Sequence, residues 1–362
     1  MSCFLGAAPP RTELSKAGAA ARSGVDSRRL RPTLSARAPQ GPVTLTPSQT
    51  DHQVEDLPDA FAAIDLGTQT ALLLIAVPRP NGSLEVVEDH AFSARLGQGL
   101  EAGGKLLPEA ADRTIEILAT FARRLELRGV EPPRVRAAGT AVLRRASDGQ
   151  AFLERVQKEL GIALEILSGD EEARVGHAAA IEALPEAERD GAVVVDVGGG
   201  SSEVVLGAGS RRHSLPLGAL LATDRFSQAN LISEIERVAA ELPSAAAEGR
   251  SGVFLGGAAS NLACLERKLE SYDPRLAEGA WVTGAAGLDW ARRLLDLETD
   301  RRRDLPIEPD RADILPAGLA LLGAISARIG LEGAVVTGRG LRYGLLRELV
   351  AGAGKAGSRG LD

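Results

Sequence analysis

The chain has 362 residues, of which 44% are hydrophobic, 25% charged and only 3% aromatic. That length suits two domains of about 100–200 residues each, and the composition is globular rather than disordered, collagen-like or coiled-coil. A formal charge of −7, the lack of a long uninterrupted apolar run and the scarcity of aromatics argue against a general polyanion binder, a membrane span and a stacking platform for single-stranded nucleic acid.

Residues 1–58 are rich in Ala, Arg, Pro, Ser and Gly and have no periodic apolar positions. They read as a disordered extension; a basic arm or a targeting peptide is the functional alternative. The first 50 residues hold seven Arg or Lys against Glu13 and Asp26, so the body that follows is strongly acidic. Cys3 and Cys264 offer no disulfide framework, which points to a reducing cytoplasm. His52, His90, His177 and His213 form no ligand-spaced pair, so a His-based zinc site is not expected.

Order is predicted from Phe61. Residues 61–66 and 71–77 are apolar strands around a tight Gly67-Thr68-Gln69-Thr70 turn, and a third strand is expected over 84–90. Helical spacing covers 108–128, a strand 135–139, and a helix 148–160 with Asp148 as its cap. A short strand at 164–167 and a helix over 170–183 follow. Then the cycle restarts with strand 192–197, the turn Gly198-Gly199-Gly200-Ser201-Ser202 and strand 203–206. Strand 253–255, a Gly256-Gly257 turn, helices over 259–270, 285–298 and 310–329, strand 334–337 and helix 341–350 close the chain.

The unit Ile64-Asp65-Leu66-Gly67-Thr68-Gln69-Thr70 thus returns as Val195-Asp196-Val197-Gly198-Gly199-Gly200-Ser201, 131 residues later. Glycine turns let the backbone approach a ligand, and successive N–H groups make a concave donor set for phosphate oxygens. The hydroxyls of Thr68, Thr70, Ser201 and Ser202 add donors. Asp65 and Asp196, at the ends of their strands, repel a phosphate unless a divalent cation lies between, and Mg²⁺ suits that role. Glu203 follows on an otherwise apolar strand, where a carboxylate wants a metal or water partner.

This pair resembles the phosphate motifs of the actin-like ATPase superfamily, and the Gly256-Gly257 turn before a helix is similar to its third motif. The segments between narrow the family. Thr140 to Gly149, Ile166 to Arg174 (ILSGDEEAR), Asp196 to Glu203 (DVGGGSSE), Ser214 to Ala219, Arg311 to Ile314 and Gly340 to Leu346 together resemble the exopolyphosphatase/guanosine-pentaphosphatase family, in order, over about residues 60–350. The resemblance implies an α/β fold of two ribonuclease-H-like domains facing each other across a cleft. It divides the chain at 59–183, joined by the helix at 340–352, and 184–339, with a disordered tail from 353 to 362. It implies a Mg²⁺-dependent phosphohydrolase that releases terminal orthophosphate from inorganic polyphosphate or converts guanosine pentaphosphate to tetraphosphate. A homodimer is implied as well, while composition and charge give no expectation of a nucleic-acid or membrane partner.

By that resemblance Glu172 orients or deprotonates the attacking water, with Glu203 beside it. Asp65, Asp196 and Glu203 face the metal. Gly67, Thr68, Gln69, Thr70, Gly198, Gly199, Gly200, Ser201, Ser202, Gly256 and Gly257 bind phosphate, with Arg144 and Arg311 as guanidinium clamps. Arg174 is expected to pair with Glu171 or Asp170, and the run Arg301-Arg302-Arg303 to be a solvated face or a guide for polyphosphate. Several family positions differ. Thr-Gln-Thr stands where Ser-Asn-Ser is usual, Leu72 and Leu221 replace basic residues, Ala258 replaces Thr and Tyr343 replaces Glu. A polyphosphate or guanosine tetraphosphate sensor without turnover, and a kinase of the same superfamily, are the competing readings.

Overall fold

The computed structural model describes residues 57–207 and 211–358. Cys3, His52 and nearly all of the basic extension lie outside the described residues. The first lobe is built on β1 (Phe61–Leu66), β2 (Thr70–Pro78) and β3 (Leu84–Ser93), followed by α1 (Leu100–Gly103) and α2 (Pro108–Leu127). Then come β4 (Val135–Gly139), α3 (Ala141–Arg145), α4 (Gly149–Leu160), β5 (Leu164–Ile166) and α5 (Gly169–Ala180). The second lobe has β6 (Val193–Val197), β7 (Ser202–Leu206), β8 (Arg211–Leu215), α6 (Ala219–Arg225), α7 (Leu231–Ala239) and β9 (Gly252–Leu255). It continues through α8 (Gly257–Glu266), α9 (Pro274–Ala277), β10 (Trp281–Thr283), α10 (Gly284–Leu295), α11 (Thr299–Arg302), α12 (Leu315–Ile329) and β11 (Gly333–Thr337). Helix α13 (Leu341–Ser358) ends the described chain and is helical into the segment read as tail.

The sequence repeat becomes a topological repeat. The first sheet has the order β3-β2-β1-β4-β5, and the second β10-β11-β9-β6-β7-β8. In each, a three-stranded antiparallel meander (β1-β2-β3, β6-β7-β8) is joined by parallel strands on the far side of its first strand. This is the ribonuclease-H-like order twice over, with β10 added antiparallel at one edge. The central strands β1 and β6 read as near-continuous apolar runs because both of their faces are covered.

Two helices share the space between the sheets. Leu341, Leu345 and Leu346 of α13 pack with Ala63, Leu74 and Ala138 of the first sheet, and Val175 of α5 joins them. Ala173 and Ala180, on the other side of α5, pack with Val194, Val205 and Val253 of the second sheet. Helix α5 therefore belongs to both cores. Among the described residues no helix is long and apolar enough to cross a membrane.

Several local expectations are corrected. Asp148 stands at the N-cap of α4, as expected, but its side chain makes no capping bond; its Oδ1 accepts from the Leu106 amide at 3.0 Å. Arg174 reaches Glu348 of α13, not its own helix. Arg302 is buried, and its guanidinium donates to the carbonyls of Leu294, Leu297 and Ala312. Its neighbours Arg301 and Arg303 pair with Asp304 and Asp300, so the run is not a free cationic track.

Candidate active site

Asp65 and Asp196 are the penultimate residues of β1 and β6, and each strand runs straight into its turn. Both turns close alike: the Gly67 amide donates to the Thr70 carbonyl at 2.9 Å, and the Gly198 amide to Ser201 at 3.0 Å. The turn carbonyls are held from behind. Gln69 and Thr68 accept from the amides of Arg95 and Gly97, while Gly198 and Gly199 accept from Ala219 and Leu220. Among the described residues, the amides of Thr68, Gln69, Gly199 and Gly200 donate to no protein acceptor. This is the arrangement an anion needs: donors left over, their carbonyls turned away.

The two turns meet. A Cβ on Gly199 would lie 2.8 Å from Gln69 Cβ, and one on Gly200 would lie 2.4 Å from Thr68 Oγ1. Side chains there would push the lobes apart. The third turn adjoins them: Gly256, with φ of 91°, lies so close to Asp196 and Val197 that a Cβ would sit 2.8 Å from the Val197 carbonyl oxygen. Helix α8 starts at the next residue and points its free amides into the same space.

Between the lobes lies a cleft of about 980 Å³. Asp65, Glu172, Asp196, Glu203, Gly67, Thr68, Gln69, Thr70, Gly198, Gly199, Gly200, Ser201, Gly256, Gly257 and Arg311 all line it. Two expected site residues do not. Ser202 is fully buried, and its hydroxyl donates to the Leu217 carbonyl at 2.8 Å. Strand alternation gives the reason: Glu203 faces the cleft, so Ser202 faces the core. Arg144 stands outside the lining and donates instead to Glu172 Oε2 at 2.9 Å and to the Leu167 carbonyl at 2.7 Å. Arg311 lies in the cleft wall, where it donates to Glu308 and to Thr70 Oγ1 of the other lobe, at 2.5 and 2.6 Å.

The acids of the cleft are crowded. Asp196 and Glu203 are cross-strand partners in register, whereas Asp65 faces Leu72 at the equivalent place. Burial, and then the charge of Glu172, push Asp65 and Asp196 up to about 7 and Glu203 up to about 8. Glu172 is also raised by burial, against the opposing pull of the Arg144 guanidinium. Like charges placed opposite one another cost stability, and a fold keeps them where a ligand relieves them.

Other lining residues carry chemistry that sequence reasoning left unassigned. Arg342 sits in the closing Gly-Leu-Arg motif; it binds both oxygens of Asp89, and its charge lowers the pKa of Asp65. Tyr343, where the family has Glu, donates its hydroxyl to Asp89 at 2.9 Å. The motif itself was the available signal; its partner Asp89, on β3, had none. Gln69 is the unsatisfied member: both side-chain polar atoms are buried without a partner, against a typical cost of about 1–3 kcal/mol.

Fold and cleft together define a two-lobed phosphate-handling enzyme. The profile of the Ppx/GppA phosphatase family matches residues 75–352. Exopolyphosphatase 2 of Mycobacterium tuberculosis is 32% identical over 292 residues, covering 74% of this chain and 90% of that protein. The crystal structure of the Aquifex aeolicus Ppx/GppA family member superposes with a TM-score of 0.66 at 28% identity, covering 81% of this chain and 98% of that one. An exopolyphosphatase structure from Cytophaga hutchinsonii, with 21% identity and a TM-score of 0.70, shares the fold. The chain belongs to the Ppx/GppA phosphatase family and is a phosphoanhydride hydrolase.

Proposed function

We propose that this enzyme removes the terminal phosphate of inorganic polyphosphate, and acts in the same cleft on the terminal phosphoanhydride of guanosine pentaphosphate. The observation that carries this reading is the pairing of two glycine turns, with four free amides, against the acids Asp65, Glu172, Asp196 and Glu203. The relative from Mycobacterium tuberculosis, an exopolyphosphatase by name, supports it.

In this reading the turn amides and the N-terminus of α8 hold the phosphate oxygens, and Glu172 accepts a proton from water as its oxygen attacks the terminal phosphorus. The bond from phosphorus to the bridging oxygen breaks, orthophosphate departs, and the chain leaves one unit shorter. A base raised by burial toward the working pH suits that task.

The donor set fits Mg²⁺. Asp65, Asp196 and Glu203 offer hard oxygens whose charge is destabilised until a cation shares it. Among the described residues no group of three or more His, Cys, Asp or Glu forms a metal cage. When bound, the ion would offset phosphate charge.

The test is orthophosphate release from short polyphosphate, long polyphosphate and guanosine pentaphosphate, with Mg²⁺ and with EDTA, for the native chain and Glu172→Gln. The expected result is Mg²⁺-dependent release that falls by about 10²–10⁴-fold in the variant, the usual contribution of a general base. Equal release from native and variant protein would overturn the role of Glu172. Binding of all three compounds without release would replace the hydrolase reading by a sensor.

A further inference from the structure

Arg144 has the look of a phosphate clamp in the sequence, yet it does not line the cleft, and its guanidinium is taken up by Glu172 and a backbone carbonyl. One nitrogen, Nη1, serves two acceptors: Glu172 Oε2 at 2.9 Å and the Leu167 carbonyl at 2.7 Å. The side chain is 28% exposed and that of Glu172 20% exposed, so the pair is shielded but not sealed.

The backbone around Glu172 is already fixed. Ser168 caps α5, accepting from the Glu171 amide, while the Glu171 side chain returns to the Ser168 amide. The Glu172 amide donates to the Ser168 carbonyl at 3.0 Å. These bonds set the Cα of Glu172 but leave its three side-chain torsions free. Arg144, in the last turn of α3, supplies the missing restraint. Its bond to Leu167 ties it to the residue just before the cap, and its bond to Oε2 then fixes the carboxylate relative to that same backbone. Among the described residues no donor reaches Oε1, which is left for the cleft.

We infer that Arg144 is a positioning residue, which holds Glu172 by one oxygen and presents the other to the attacking water. This rests on the reading of Glu172 as the water-activating group. It separates two roles that a phosphate-site arginine confounds. A clamp on substrate oxygens contributes to binding; a residue that aims a base contributes to the chemical step and leaves binding alone.

The experiment is a double-mutant cycle with short polyphosphate and saturating Mg²⁺, on Arg144→Gln, Arg144→Lys, Glu172→Gln and the two Arg144 variants combined with Glu172→Gln. Arg144→Gln is expected to lower kcat by about 10–100-fold, the scale of a misplaced catalytic group, with KM changed less than about twofold. Arg144→Lys keeps the charge and recovers part of kcat. In the Glu172→Gln background neither Arg144 change costs anything further, because the group it aims is gone. A raised KM with kcat retained would overturn the inference in favour of a substrate clamp. Penalties that multiply in the double variants would overturn it too. Should Arg144→Gln lose its cooperative thermal transition, the cycle is read from Arg144→Lys alone. Native-level release by Glu172→Gln would instead remove the underlying reading of Glu172, which the cycle reports separately.

Discussion

One carboxylic acid type takes two opposite protonation behaviours in this molecule, and the immediate partners decide which. Glu203 is buried opposite Asp196, with only the hydroxyls of Ser201 and Ser214 to support its charge, and is pushed up to about 8. Glu88 is only partly buried, and burial alone would raise it. Hydrogen bonds from His90, Arg128 and Arg124 outweigh that and bring it down to about 2. Because its folded value lies below the ordinary 4.5, Glu88 stabilises the fold fully above pH 4.5 and loses that contribution as pH falls toward 2. Water reaches part of this cluster, so screening reduces what the shift is worth in stability. Glu88→Gln should therefore lower the unfolding free energy by about 1–2 kcal/mol at pH 6, and the deficit should shrink as acid is added, with the two proteins converging near pH 2. Urea denaturation at both pH values measures it. A deficit that stays constant across the range would show that the ionised carboxylate is not what is lost.

The same scale shows what a linear pattern can and cannot carry. Asp65, Asp196 and the two glycine turns were legible because a strand, an acid and a turn are local objects, and their repetition marks them. Ser202 was misread where strand alternation was there to be used: next to Glu203 it had to point the other way. Arg144, Arg302 and Asp89 had no local signal. Their partners lie on other elements, brought close only by the fold, as with Glu172 on α5 for an arginine of α3. An arginine run reads as solvated until three carbonyls converge on its middle member.

At the scale of elements, α5 is the piece on which the site depends, since it carries Glu172 and packs on both sheets. What lets it lie so deep is a close crossing with α13. A Cβ on Gly344 would lie 2.3 Å from the Val175 carbonyl oxygen and 2.5 Å from its Cγ1. Two effects compete in Gly344→Ala. Helix propensity favours alanine by about 1 kcal/mol. The clash is with backbone, which cannot rotate away, and overpacking of that kind costs about 1–3 kcal/mol. The clash should win, and relief requires α5 to slide outward. The expected outcome is a lower thermal midpoint together with a loss of kcat greater than the loss of folded protein explains. A variant more stable than the native chain would show that propensity prevails and that the crossing has slack.

Contacts made between the lobes also hold the cleft. Arg95, in a left-handed backbone conformation with φ of 50°, reaches across to Asp313 with both terminal nitrogens, at 3.1 and 2.5 Å. Arg311 reaches back to Thr70 in the first glycine turn, and Arg225 reaches Glu101 at 2.7 Å. A non-glycine residue at positive φ carries strain of order 1 kcal/mol, which its surroundings must repay. Here the Arg95 amide also holds the Gln69 carbonyl at 2.8 Å, so one residue joins the lobe latch to the first glycine turn. Asp313 is in turn held below its ordinary pKa: burial opposes this, but the Arg95 hydrogen bonds and charge prevail.

Asp313→Asn keeps the shape and removes the charge of that latch. Bidentate charged pairing is stronger than neutral pairing by about a factor of two, so the closed arrangement of the lobes loses on the order of 1 kcal/mol. Closure brings the two sets of turn amides together, and a substrate that bridges them binds the closed form. Its apparent affinity falls with the population of that form. KM for polyphosphate should therefore rise, by up to about fivefold, while kcat, which on the proposed reading is set by Glu172 within the closed complex, stays near the native value. Added salt tests the same point from the other side. The native KM should climb with ionic strength more steeply than that of the variant, which has no ion pair left to screen there. A kcat that drops with KM unchanged would place Asp313 in the chemical step instead, and would mean that the lobes do not need this pair to meet.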